Sequence, residues 1–171
     1  MMNAEPLPII SLRRVEEADL DDVLRINEAA VPAVNSVDLE QMRWFAANAA
    51  YFGVALRDGQ VGGFLIGMRP GTNYASLNYR WFCDRYEEFG YIDRVAIAAN
   101  ARRLGLATRL YQDFEASLPR TVGILTCEVN IVPPNESSMR FHEHLGFRTI
   151  GTQTLESDRK TVALMARERN A

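Results

Sequence analysis

The densest group of residues able to hold a ligand is Arg102-Arg103-Leu104-Gly105-Leu106-Ala107. The two arginines bring positive charge, while Gly105 and Ala107 keep side-chain bulk off the backbone. If a helix begins here, its first N–H groups lack partners within the helix, and its dipole turns a positive end toward the loop. Such a junction is a seat for phosphate. The only imidazoles are His142 and His144, and no cysteine or further histidine lies near them in sequence. No metal is expected from that spacing. A helix following Asn135 would place Ser138, Phe141, His142 and Leu145 on one face, so His142 belongs to the apolar side and His144 faces water.

The elements that must position these residues follow from hydrophobic spacing. Tyr91 to Ala98 alternates β-formers with smaller or polar residues, as a strand buried in a sheet does. From about Arg103, the residues Leu104, Ala107, Leu110, Tyr111 and Phe114 recur at helical spacing, which ends at Leu118 before Pro119. Upstream, 9–14 predicts a first strand and 20–27 a helix led by the acids around Asp19. Ser36-Val37-Asp38 offers a cap for a second, strongly apolar helix that contains Trp44 and Phe45. Asp58-Gly59 between β-rich runs at 51–56 and 61–68 predicts a hairpin. The stretch 69–89 has no period and reads as a long loop rich in aromatic residues.

Downstream, 122–130 predicts a fifth strand, stopped by Pro133-Pro134. Asn135 then caps a helix running from Glu136 to about Leu145, and Gly146 closes it in a left-handed conformation. Strands at 147–152 and 160–167 complete the sheet.

With 171 residues, 47% of them hydrophobic and 24% charged, the chain suits one domain spanning 1–171. A net charge of −3 with dispersed arginines argues against nucleic acid as a partner. Lys160 is the only lysine. No run approaches the roughly 20 apolar residues that span a bilayer, and the start of the chain lacks a secretory pattern. A cytoplasmic protein without membrane attachment is the expectation. Cys83 and Cys127 are far apart in sequence and read as free thiols.

Strand, then Arg102-x-x-Gly105-x-Ala107, then helix resembles the acyl-CoA-binding core of the GCN5-related N-acetyltransferase (GNAT) family. A second family signature is matched by Val129-Asn130, Asn135, Ser138, His142 and Gly146-Phe147, in the right order after an intervening strand. The two motifs together cover about Tyr91 to Phe147. The resemblance implies an α/β fold: a mixed, mostly antiparallel sheet of about six or seven strands, splayed between strands 4 and 5, with about four flanking helices. It also implies acetyl-CoA as cofactor, with the pantetheine arm lying in the splay. Val95, Ala96 and Ile97 would face that arm. Arg102, Arg103, Leu104, Gly105, Leu106, Ala107 and Thr108 would hold the pyrophosphate, and Asn135 and Ser138 would lie beside it.

The implied reaction is direct attack of a primary amine on the acetyl thioester, which needs a base for the ammonium and an acid for the leaving thiolate. His142 occupies the place where the family usually has tyrosine, as in the branch resembling phosphinothricin acetyltransferases, and is the expected acid. Asn100 stands where many members carry proline. For the base, strand alternation puts Tyr91, Asp93, Val95 and Ile97 on one face, so Asp93 points toward the cofactor side. Glu88 and Glu128 are its rivals. The acceptor, a small-molecule or peptide amine, is expected between 34–44 and 74–89, with Asn35, Trp44, Tyr79 and Trp81 in contact. A homodimer is compatible with the resemblance. The alternative from another class is a GNAT-fold module that binds acyl-CoA without turning it over.

Overall fold

The computed structural model describes residues 6–157 and 159–169. Seven strands form one sheet in the order β1-β2-β3-β4-β5-β7-β6. They are β1 (Ile10–Arg14), β2 (Tyr51–Arg57), β3 (Gln60–Met68), β4 (Gly90–Ile97), β5 (Ile124–Val132), β6 (Arg148–Leu155) and β7 (Lys160–Glu168). All neighbours run antiparallel except β4 and β5. The β2–β3 hairpin turns through Asp58 and Gly59, at φ 51° and 81°, the left-handed pair that a tight hairpin of this twist requires.

Five helices cover the sheet: α1 (Leu20–Ala29), α2 (Leu39–Asn48), α3 (Leu77–Cys83), α4 (Leu106–Ser117) and α5 (Glu136–His144). One face buries Leu20, Val23 and Ile26 of α1, Met42 and Phe45 of α2, and Tyr79 and Phe82 of α3 against Phe64, Ile66 and Tyr91. The other buries Leu106, Leu110, Tyr111 and Phe114 of α4 against Leu65, Ile92 and Leu125, with Phe141 and Leu145 of α5 packed alongside. The amphipathic spacing read in α1, α4 and α5 supplies these contacts directly.

The stretch expected to be an unbroken loop contains a helix. Ser76 accepts a hydrogen bond from the Tyr79 N–H and caps α3, which is only seven residues long. A run that short completes too few turns to show a helical period.

Two departures near β4 shape the site. The β4–β5 ladder pairs only Gly90, Tyr91 and Ile92 with Leu125, Thr126 and Cys127, and beyond Ile92 the strands part. That is the predicted splay. At the same point β4 bulges: Ile66 of β3 faces Arg94 while Gly67 faces Ile92, leaving Asp93 as the extra residue. The bulge reverses the expected alternation. Tyr91 and Ala96 pack on the α1–α3 side, whereas Ile92, Val95 and Ile97 pack on the α4 side.

Candidate active site

The splay opens a cavity of about 630 Å³ on the α4–α5 side, lined by Val95, Ala96 and Ile97, by 101–103 and 105–108 at the turn into α4, and by Asn135, Ser138 and His142. The turn into α4 is unusual. Arg103 has φ 62° and Gly105 φ 72°, so the backbone takes a left-handed conformation twice within three residues. The helix begins only at Leu106, later than its periodicity suggested. This turn bares the first-turn N–H groups of Leu106, Ala107 and Thr108, which have no intrahelical acceptor. A Cβ built on Gly105 meets no atom within 4 Å outside its chain neighbours, so the cavity is open beside this residue. Open space, bare N–H groups and two flanking arginines fit a pyrophosphate. Every residue expected to meet the cofactor lines this cavity except Leu104, which packs on the core instead.

A second cavity, of about 310 Å³, lies on the other side of the splay, and Ala30, Val95, Asn135, Ser138 and His142 line both. Its far walls come from the α1–α2 loop (Ala33, Val34, Asn35), the start of α3 (Leu77, Asn78) and the β6–β7 end of the sheet (Leu155, Lys160, Val162). Of the residues expected to contact an acceptor, Asn35 lies in this lining. Trp44, Tyr79 and Trp81 do not. Trp44 stacks on Tyr74, and Tyr79 is buried with its hydroxyl donating to the Arg69 carbonyl at 2.7 Å. Trp81 lies against Gly151 of β6, with Arg85 over its ring. Of the other residues lining this cavity, Tyr74 and Asn78 were signalled only by the aromatic and polar density of 74–89 and Asn130 only as part of the second motif, while nothing in the sequence marked Tyr111 or Lys160 as pocket residues.

The three candidate bases separate clearly. Glu88 is paired with Arg69 at the surface and lines neither cavity. Asp93 lines the second cavity, but its carboxylate accepts from Tyr74 Oη and from Arg94 Nε, each at 2.7 Å. Glu128 projects from β5 into the same cavity. Its Oε1 accepts from Tyr91 Oη at 2.8 Å, while Oε2 is buried with no hydrogen-bond partner among the described residues. Burial, reinforced by the nearby Asp93 charge, pushes this carboxyl up to about 8, against the opposing hydrogen bond from Tyr91 and the charge of Arg94.

His142 is buried where the two cavities meet. Its Nδ1 donates to the Ser138 carbonyl at 2.7 Å, which leaves Nε2 to accept from Tyr111 Oη at 2.6 Å. Burial lowers its pKa, so the ring is held neutral, with its N–H turned back into α5.

The sequence model of the acetyltransferase (GNAT) family matches residues 20–147, most of the chain and all of the first cavity's lining. The chain belongs to the GNAT family. As a GNAT acetyltransferase it has many relatives of known structure. Ard1 from Thermoplasma volcanium superposes with a TM-score of 0.76 at 18% identity, over 95% of this chain and 99% of that one. The ribosomal-protein-S18-alanine N-acetyltransferase from Escherichia coli gives 0.69 at 16% identity, over 95% and 96%. The yncA protein of Salmonella typhimurium, solved with its cofactor acetyl-CoA, gives 0.66 at 15% identity, over 95% of each chain. Comparison with curated protein sequences returns no match. Among the described residues no helix is long and apolar enough to cross a membrane.

Proposed function

We propose that this GNAT protein transfers an acetyl group from acetyl-CoA to a primary amine that enters the second cavity. The observation that carries the reading is the junction itself: a phosphate seat and a carboxylate-bearing pocket meet at Ala30, Val95, Asn135, Ser138 and His142. Acetyl-CoA supplies the activated thioester. The loop 102–108 and the first turn of α4 would hold its phosphates, and the unpaired edge of β4 beyond Ile92 would face its pantetheine arm.

In this reading Glu128 is the base. Its unpartnered Oε2 accepts a proton from an incoming ammonium, and a carboxyl titrating near 8 does so with far more driving force than an ordinary one. Asp93 is a positioning residue, because Arg94 and Tyr74 already occupy its oxygens. Direct proton donation by His142 would need an N–H at Nε2, and Nε2 is an acceptor here. Its role in this proposal is to hold the Tyr111 hydroxyl beside the junction. Burial keeps that hydroxyl well above the usual tyrosine range, so it stays protonated, and in this proposal its one O–H turns from Nε2 to the sulfur as the thiolate departs.

The test is to mix the protein with acetyl-CoA and a panel of amines while thiol release is followed. Release that depends on the amine and falls in Glu128→Gln supports the reading. Tight acetyl-CoA binding with no release across the panel would point to an acyl-CoA-binding module instead.

A further inference from the structure

We infer that the acceptor is an amine that also carries an anionic group, with the amine at Glu128 and the anion at Lys160. This inference rests on the acetyl-transfer reading of the site and adds the chemical class of its second substrate.

The argument starts from the floor of the second cavity. Glu128 stands opposite Leu164 and Asn130 opposite Val162 in the β5–β7 ladder. Val162 and Leu164 bury their side chains on the α1–α3 face, and Lys160 shares that face by alternation along β7. Glu128, Asn130, Val162 and Lys160 all line the cavity. The floor therefore runs from a buried carboxylate, across an amide and an apolar side chain, to an ammonium. Two residues of strand, about 7 Å, separate the Glu128 row from the Asn130 row.

The ammonium is held away from the carboxylate. Lys160 Nζ donates to the Pro32 carbonyl at 3.1 Å and to Asn35 Oδ1 at 2.7 Å, and Asn130 Nδ2 donates to the same Pro32 carbonyl at 3.0 Å. Among the described residues its acceptors are thus two neutral oxygens. An ammonium has three N–H donors, so this geometry leaves one for a ligand. Asn35 is itself fixed, its carbonyl accepting from Asn27 Nδ2 and Arg94 Nη1 at 3.1 and 3.2 Å. The cation is consequently preorganised at the rim, and leucine and valine side chains (Leu155, Val34, Val162) line the space between the two ends. A polyamine would set a second cation against Lys160. An amino-carboxylate would complement both ends.

The experiment offers acetyl-CoA together with a ladder of ω-amino acids of increasing length and the n-alkylamines of matching length, and follows thiol release. At the best length the amino acid is expected to exceed its alkylamine by about tenfold or more in kcat/KM, as one charge-assisted hydrogen bond implies. Lys160→Met is expected to bring that ratio to about one by raising KM for the amino acid, and Lys160→Arg to keep most of it. Equal rates for the two series, or a ratio that survives Lys160→Met, would overturn the inference. If neither series releases thiol, simple amine acetylation fails as a reading, but titration calorimetry of the same probes into CoA-loaded protein still decides this one. A preference for the amino acid that disappears in Lys160→Met supports it, and equal binding of the two series overturns it.

Discussion

The hydroxyl of Tyr111 on α4 lies 2.6 Å from Nε2 of His142 on α5, joining two helices by a buried hydrogen bond at the point where both cavities meet. The ring also gives its Nδ1 proton to the Ser138 carbonyl. An imidazole so placed is part of the packing as well as of the site.

Replacing His142 with Phe is therefore expected to do two things. Leaving the Tyr111 hydroxyl buried without a partner costs about 1–3 kcal/mol of stability. Losing the group that holds that hydroxyl lowers kcat by about 10²-fold, while acetyl-CoA affinity changes little. Denaturant unfolding and steady-state kinetics check these separately. Adding Tyr111→Phe removes the orphaned hydroxyl and is expected to recover much of the stability without recovering the rate. A His142→Phe protein with normal kcat would leave the pair a purely structural contact.

Glu128 makes a prediction in pH. A carboxyl pushed up to about 8 is mostly protonated at neutrality, so kcat/KM should rise with pH and level off above about 8. Glu128→Gln should remove that limb and cost 10²- to 10⁴-fold in kcat. The sign for stability runs the other way. A native carboxyl with a raised pKa binds its proton more tightly than the unfolded chain does. It therefore favours the fold below the ordinary carboxylate range and loses that contribution as pH climbs to about 8. Glutamine cannot ionise, so melting temperatures of Glu128→Gln and wild type should diverge in favour of the variant between pH 5 and 9.

The lining of the first cavity was legible in the sequence because its signals are local. Gly105 is needed for a backbone conformation at φ 72°, and Asn135 caps its helix by accepting from the Ser138 N–H at 3.2 Å. Each could be read from a few adjacent residues. The second cavity depends on long-range placement. Trp81 looked like a pocket residue in a loop, yet it fills the space above Gly151, seventy positions away in a strand that sequence spacing could not align with it. Lys160 meets Asn35 only because β7 and the α1–α2 loop converge over the cavity. The bulge at Asp93 likewise answers to the parting of β4 from β5, and a simple alternation cannot contain it.

At the phosphate seat, Gly105→Val should weaken CoA binding tenfold or more in titration calorimetry. A valine at positive φ carries backbone strain of about 1–2 kcal/mol, and its branched side chain enters the space in front of the α4 N–H groups. No protein atom lies within 4 Å of the new Cβ, so the fold itself has no clash to relieve. Unchanged affinity in a folded variant would place the phosphates elsewhere.

Asp93 can be distinguished from a base by the same measurements. Its side chain and that of Arg94 are only 4% and 6% exposed, and they form an ion pair at 2.7 Å. Arg94 extends the pair into a network. Nη1 donates to Asn27 Oδ1 of α1 at 3.0 Å and to the Asn35 carbonyl at 3.2 Å, and the guanidinium lies 5.0 Å from the centre of the Phe45 ring of α2. The pair thus ties the bulge of β4 to α1, to α2 and to the loop between them, whose Ala33, Val34 and Asn35 line the second cavity. Removing one partner strands the other charge in the interior, which typically costs 3–5 kcal/mol. Asp93→Ala should accordingly lose stability on the order of that amount and raise KM for the amine, because Asn35 and its loop lose their anchor. Its pH limb should persist but move to lower pH, since Glu128 still supplies the titrating group and loses the Asp93 charge that helps to raise it. Loss of that limb would assign the proton to Asp93, whereas a stable Asp93→Ala protein with an unaltered amine KM would remove the network from any role in shaping the pocket.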